Sequence, residues 1–121
     1  MSEAREGIER IIKLINKTPK AKQVFESEDW SYTIQFNLDG ENDPFYLVIK
    51  NGIGKVIIGE DPNADMVIIG DNNSIVKTSQ GRGDFTHGIS REEITVEKGK
   101  VFELMRVSRA IGVALKEQKK K

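Results

Sequence analysis

The dipeptide Asn51-Gly52 lies between two apolar runs, FYLVIK (45–50) and KVII (55–58). Both residues tolerate positive φ, which the tight turn matching the twist of paired strands demands. The pair therefore folds the two runs onto each other as an antiparallel hairpin. Upstream, Tyr32, Ile34, Phe36 and Leu38 alternate with Thr33, Gln35 and Asn37, giving a strand with one apolar and one polar face. Asp39-Gly40 turns that strand into the hairpin. Downstream, MVII (66–69) forms a fourth strand after the break at Pro62-Asn63. Four strands joined by short connections predict four antiparallel neighbours.

Helical periodicity brackets these strands. Ile8, Ile11, Ile12 and Ile15 fall at i, i+3, i+4 and i+7 with charged residues between them, and the helix stops near Thr18-Pro19. Asp71 or Asn72 caps a short helix running to about Ser79. Ile94–Glu97 alternate as a fifth strand, and Gly99 turns the chain into the longest helix, 101–117. Its predicted inner face is Val101, Leu104, Met105, Ser108, Ile111, Gly112 and Leu115. Arg106, Arg109 and Lys116 are expected to face water. Strands bracketed by helices make an α+β domain spanning 1–121. It has a five-stranded, mostly antiparallel sheet with N-terminal, short middle and C-terminal helices on one face.

Composition narrows the function. Nineteen Lys+Arg balance nineteen Asp+Glu, which gives no reason to expect nucleic acid as a partner. The absence of cysteine excludes thiol catalysis and Cys-ligated zinc. The first residues lack the apolar run of a secretory signal, and a cytoplasmic location is expected.

The stretch QGRGDFTHGIS (80–90) invites three functional readings. Arg82-Gly83-Asp84 matches an adhesion tripeptide, but nothing points to secretion. The glycines lack the third member of a dinucleotide fingerprint and the Gly-Lys-Ser/Thr ending of a P-loop. His87 has Asp84 three residues away, yet no nucleophile elbow or second histidine accompanies it. Asp39-Gly40-Glu41-Asn42-Asp43 fails the spacing of a calcium loop and reads as a solvated turn. No motif calls for a metal or cofactor. What remains is an abundance of apolar residues in the second to fourth strands. They form either an ordinary core or a partly hollow one that Met66, Met105, Phe85 and Phe102 would line compliantly.

The order of these segments resembles the sterol carrier protein 2 (SCP-2) domain family. The similarity rests on YTIQFNLDG (32–40), FYLVIKNGIGKV (45–56), DPNADMVIIGDNNSIVKTSQG (61–81) and EEITVEKGKVFELMRVSRAIGVAL (92–115). The stretch from Phe85 to Glu92 departs from the family's usual approach to the last strand. The resemblance implies a non-enzymatic carrier that binds a fatty acyl, sterol-like or isoprenoid ligand in an apolar tunnel between sheet and helices. Expected lining residues are Phe36, Val48, Ile58, Ile68, Ile75, Phe85, Phe102, Met105 and Ile111. Residues 80–90 become a crossover, with Phe85 anchored in the core and Arg82 and His87 near the tunnel mouth. Expected partners are an apolar lipid and a transient membrane contact, for a monomer or homodimer. Two rivals stand beside this reading. One is a filled-core interaction or accessory subunit in a lipid or quinone pathway, and the other is an enzyme using His87 with Asp84.

Overall fold

In the computed structural model, which describes residues 3–120, the Asn51-Gly52 hairpin forms with both turn residues at positive φ, 55° and 77°. It joins β2 (Phe45–Lys50) to β3 (Ile53–Ile58), and β1 (Tyr32–Asp39) pairs antiparallel with β2. The amphipathic helix α1 (Glu3–Lys17) buries Ile8, Ile11, Ile12 and Ile15, the predicted stripe.

The fourth strand corrects one expectation. The sheet order is β3-β2-β1-β4-β5, and β4 (Met66–Asp71) lies parallel to β1 instead of antiparallel beside β3. Two side chains explain the placement. Asn16 on α1 holds the backbone of Gly54 from outside, accepting from its N–H and donating to its carbonyl at 3.0 Å each. That closes part of the free β3 edge. Gln35, buried in β1, pins the departing chain on the opposite face of the sheet. Its amide donates to the carbonyls of Phe45 and Gly59, and its oxygen accepts from the Asp61 N–H at 2.8 Å. The chain thus crosses beneath the sheet and meets the free edge of β1. There Thr33 and Asp65 exchange bonds, the Thr33 N–H donating to the Asp65 carboxylate and the Asp65 N–H to the Thr33 carbonyl.

Two helices were not anticipated. Pro19 opens α2 (Pro19–Glu26) at a position where its missing N–H costs nothing, and Ala21 and Phe25, one turn apart, are buried. A single 3₁₀ turn (Ser27–Asp29) follows. Asp71 caps α3 (Asn72–Ser79) as expected, its carboxylate accepting from the Asn73 N–H. Residues 85–90 are then a short helix, α4 (Phe85–Ser90), and not an irregular crossover. After β5 (Ile94–Lys98) comes α5 (Val101–Lys119).

The buried face of α5 is Leu104, Val107, Ala110, Ile111 and Ala114. Relative to expectation, the helix is rotated by about one residue, so Val101 and Gly112 are exposed. Arg106 sets that rotation. Far from facing open water, its guanidinium donates to the carbonyls of Val24 (2.9 Å) and Ser27 at the end of α2, and it lies 4.4 Å over the Trp30 ring. The turn at 39–43 is likewise not merely solvated, because the Glu41 carboxylate accepts the Ala4 N–H at the start of α1.

The helices leave the other sheet face open. Phe45, Leu47 and Ile49 of β2 are buried, while Tyr46 and Val48 alternate to the uncovered side and are half-buried.

Candidate functional site

Five of the nine expected lining residues meet in the core between sheet and helices. Phe36, Ile68, Ile75, Phe85 and Ile111 come from β1, β4, α3, α4 and α5 and belong to one buried cluster. Phe36 stacks on Phe45 at 4.9 Å. Met105 borders this cluster, and its sulfur accepts from the Thr86 hydroxyl.

Val48, Ile58 and Phe102 lie elsewhere. Val48 falls on the uncovered sheet face because inward positions on β2 are the odd-numbered ones. Ile58 shares a side with Phe45, but at the end of an edge strand it is 56% exposed. Phe102 is 63% exposed, because it lies in the first turn of α5 on the side away from Leu104, Val107 and Ile111.

The open spaces lie around the C-terminal half of α5. One hollow of about 540 Å³ separates α5 from the turn after α3 and is floored by Ile111, Gly112 and Leu115. A second of about 450 Å³ runs between α1 and α5 over Ile11, Leu14 and Leu115, and shares Gln80 and Leu115 with the first. A third of about 530 Å³ continues to the α1–α2 turn and shares Leu14, Lys17 and Gln118 with the second. The three adjoin through these shared side chains as a trough of successive hollows with an aliphatic floor, and Ile11 and Ile111 of that floor are also core residues.

The rim is cationic. Arg109, Lys116 and Lys119 border the first hollow, Arg10, Lys13 and Lys17 the second, and Lys20 and Lys120 the third. Glu117 is a carboxylate at that end, and its bonds to Lys20 and Lys120 hold its pKa below the usual range. Small side chains create the first hollow. A Cβ at Gly112 would meet only open space, and the Ser108 hydroxyl is buried there with no hydrogen-bond partner among the described residues. Sequence reasoning missed the rim because its cations come from α1, the first turn of α2, and α5 with the residue after it, far apart along the chain.

Arg82 and His87 border a separate small cleft that shares Thr78, Gly83 and Asp84 with the trough. Asp84 caps α4, accepting from the His87 N–H at 2.9 Å, and the two side chains stand 3.7 Å apart, both well exposed. That carboxylate is committed to a helix end, and among the described residues no hydroxyl is hydrogen-bonded to the imidazole.

At the opposite end of α5, Tyr32 stacks on Trp30 at 5.3 Å. Burial first, then the negative charges of Glu103 and Asp65, raise its pKa above 10.0, against an opposing hydrogen bond from the Lys100 amide. A raised pKa means that the folded state holds its proton more tightly than the unfolded state does. The associated stability is fully present below the ordinary tyrosine value and is lost as pH rises through the folded one. Thermal unfolding followed across the alkaline range is expected to show a steeper loss of Tm in the native protein than in Tyr32→Phe.

A profile of the SCP-2 sterol transfer family matches residues 8–111. No curated protein matches the sequence. Among solved structures, a UbiJ-SCP2 ubiquinone synthesis protein superposes with a TM-score of 0.70 at 18% identity, covering 90% of this chain and 88% of that one. Apo sterol carrier protein 2 from Yarrowia lipolytica gives 0.63 at 19% identity, covering 91% and 88%. Palmitated SCP2L2 from Aedes aegypti gives 0.63 at 16% identity, covering 92% and 95%. The shared mixed sheet with its helices on one face, and the family match over most of the sequence, lead to one assignment: the chain belongs to the SCP-2 sterol transfer family.

Proposed function

We propose that residues 1–121 work as one lipid-binding domain, a non-enzymatic carrier of a fatty acyl, sterol-like or isoprenoid molecule. The observation that carries this reading is the trough around α5, aliphatic along its floor and lined by lysine and arginine along its rim. An amphiphile with an anionic head matches both parts. Its head meets Arg109, Lys116 or Lys119. Its tail runs along Leu115, Gly112 and Ile111, and it reaches the expected lining residues Ile75, Phe85, Phe36, Ile68 and Met105 only if the packed core behind Ile111 parts to admit it. Each buried methylene contributes ~0.8 kcal/mol, so a long chain offers ~10 kcal/mol gross. Immobilisation takes back about 4 kcal/mol, which leaves ~6 kcal/mol, or affinity in the tens of micromolar. Family membership supports lipid binding and transfer as the general activity. Among the described residues no helix is long and apolar enough to cross a membrane. Contact with a bilayer, on this reading, is a transient docking.

Titration with a fluorescent fatty acid tests the proposal. The double variant Arg109→Glu/Lys116→Glu is expected to bind roughly tenfold more weakly at low ionic strength, and the gap should narrow in high salt as the charges are screened. Saturable binding that ignores both the reversal and the salt would remove the rim from the account. A second reading is an accessory subunit in quinone synthesis, with its core filled. It draws on the ubiquinone synthesis protein among the structural neighbours and on the many core side chains with no exposure.

A further inference from the structure

The outer edge of β3 has features that neither the core nor the trough uses. In the hairpin, Ile53, Lys55 and Ile57 sit opposite Lys50, Val48 and Tyr46. The next pair outward, Gly59 with Pro44, is bonded from the Gly59 N–H at 2.9 Å. Hydrogen-bonded and non-bonded pairs alternate in an antiparallel ladder. The backbone groups of Gly54, Val56 and Ile58 therefore point away from β2, toward the open edge. Asn16 satisfies Gly54 on both its N–H and its carbonyl. Among the described residues, nothing is bonded to the N–H or carbonyl of Val56 or Ile58.

The usual protections of an edge strand are missing here. The strand carries no proline and no bulge, and a single lysine, Lys55. Its side chains are mostly aliphatic, with Ile58 56% and Ile53 52% exposed. Ile57 lies on the uncovered sheet face, on the same side as Tyr46 and Val48.

We propose that this edge is a self-association surface, on which β3 of a second copy pairs antiparallel across a two-fold axis at Ile57 and joins the two sheets into one. The edge is self-complementary in only this register. Val56 of each copy meets Ile58 of the other, and the two pairs exchange the open donors and acceptors in full. Sliding the axis toward Gly54 would require the positions that Asn16 already occupies. Sliding it the other way would pair Val56 with Glu60, past the end of β3, where the chain turns beneath the sheet as the Asp61 N–H donates to Gln35. In this register Ile57 faces its own mate at a non-hydrogen-bonded position, where Cα atoms stand about 4.5 Å apart. The exposed Ile58 lies against Val56 of the other copy, and Lys55 lies opposite Gly59, so no like charges meet. A second copy, and not an unrelated peptide, is favoured because the open stretch matches itself in length, polarity and side-chain size.

The chain has no cysteine, so an introduced one reports unambiguously. Under mild oxidation Ile57→Cys is expected to form a disulfide-linked dimer, because about 4.5 Å between Cα atoms lies within disulfide reach. Ile53→Cys, on the same strand but eight positions from its mate, or about 27 Å, is expected to crosslink at least tenfold more slowly. Sedimentation velocity of the native chain should show a concentration-dependent monomer–dimer equilibrium. Ile58→Lys, which alters a side chain already in solvent, should shift that equilibrium to monomer with thermal unfolding unchanged. A native chain that sediments as monomer at every concentration overturns the proposal. So does a dimer that survives Ile58→Lys, or equal crosslinking of the two cysteine variants.

Discussion

Arg106→Met is expected to lower unfolding stability by about 2–3 kcal/mol, the largest loss from any single side chain that sequence patterning places in water. Methionine keeps much of the aliphatic stem and volume but removes the donors. The carbonyls of Val24 and Ser27, at the end of α2, then lose a cation that bonds both and also lies over Trp30. Carbonyls at a helix C-terminus have no partner within the helix, and a cation there also suits the helix dipole. Hydrogen bonds to a charged group contribute more than neutral ones, and the stacked indole adds to them. Arg106→Lys should recover only part of the loss, since an ammonium lacks the planar fork that spans two carbonyls. Denaturant unfolding measures this directly: the midpoint should fall with little change in slope. A variant as stable as the native chain would mean that α2 and α5 are held together by Phe25, Trp30 and Val107 alone.

Gly112→Phe is expected to separate binding from stability. Glycine in a helix interior is unfavourable, and phenylalanine is better there by about 0.5 kcal/mol. A side chain at this position grows into open space and not into neighbours. Stability should therefore hold or rise slightly. The ring would occupy the hollow over Ile111 and Leu115 and displace two or three methylene contacts of a bound chain, roughly 2 kcal/mol and about thirtyfold in affinity. Fluorescent fatty-acid titration beside thermal unfolding gives both quantities. Lost binding with retained Tm locates the ligand in the trough. Unchanged affinity would move it to another part of the molecule.

Local patterns carried much of the fold, and tertiary geometry carried the rest. Asn51-Gly52 specified its hairpin through backbone conformation alone, and the Ile8–Ile15 stripe specified the buried face of α1 through period. The position of β4 was not local. It depends on Gln35 and Asn16, polar side chains whose roles emerge only when distant segments meet. The helix α2 is hard to see in the sequence although Pro19, Ala21 and Phe25 signal it, because a proline that ends one helix also suits the first position of the next. The glycines at 81, 83 and 88 masked α4, whose start Asp84 marks by capping. On α5 two adjacent apolar stripes competed, and Arg106 selected between them. The same ambiguity governed the candidate site. Phe36, Ile68, Ile75, Phe85 and Ile111 converge, while Val48 sits on the wrong side of its strand by one residue, Phe102 lies on the outer side of the first turn of α5, and Ile58 lies beyond the helical cover.

An amphiphile held in the trough around α5 would travel with the purified chain. Native mass spectrometry, with organic extraction of whatever the chain carries, detects it. The expected result is a mass shift matching one fatty acyl, sterol-like or isoprenoid molecule per chain, recovered in the extract and lost in Gly112→Phe. A native chain that flies at its bare mass, and stays bare after incubation with fatty acid, would contradict it and favour the accessory subunit with a filled core.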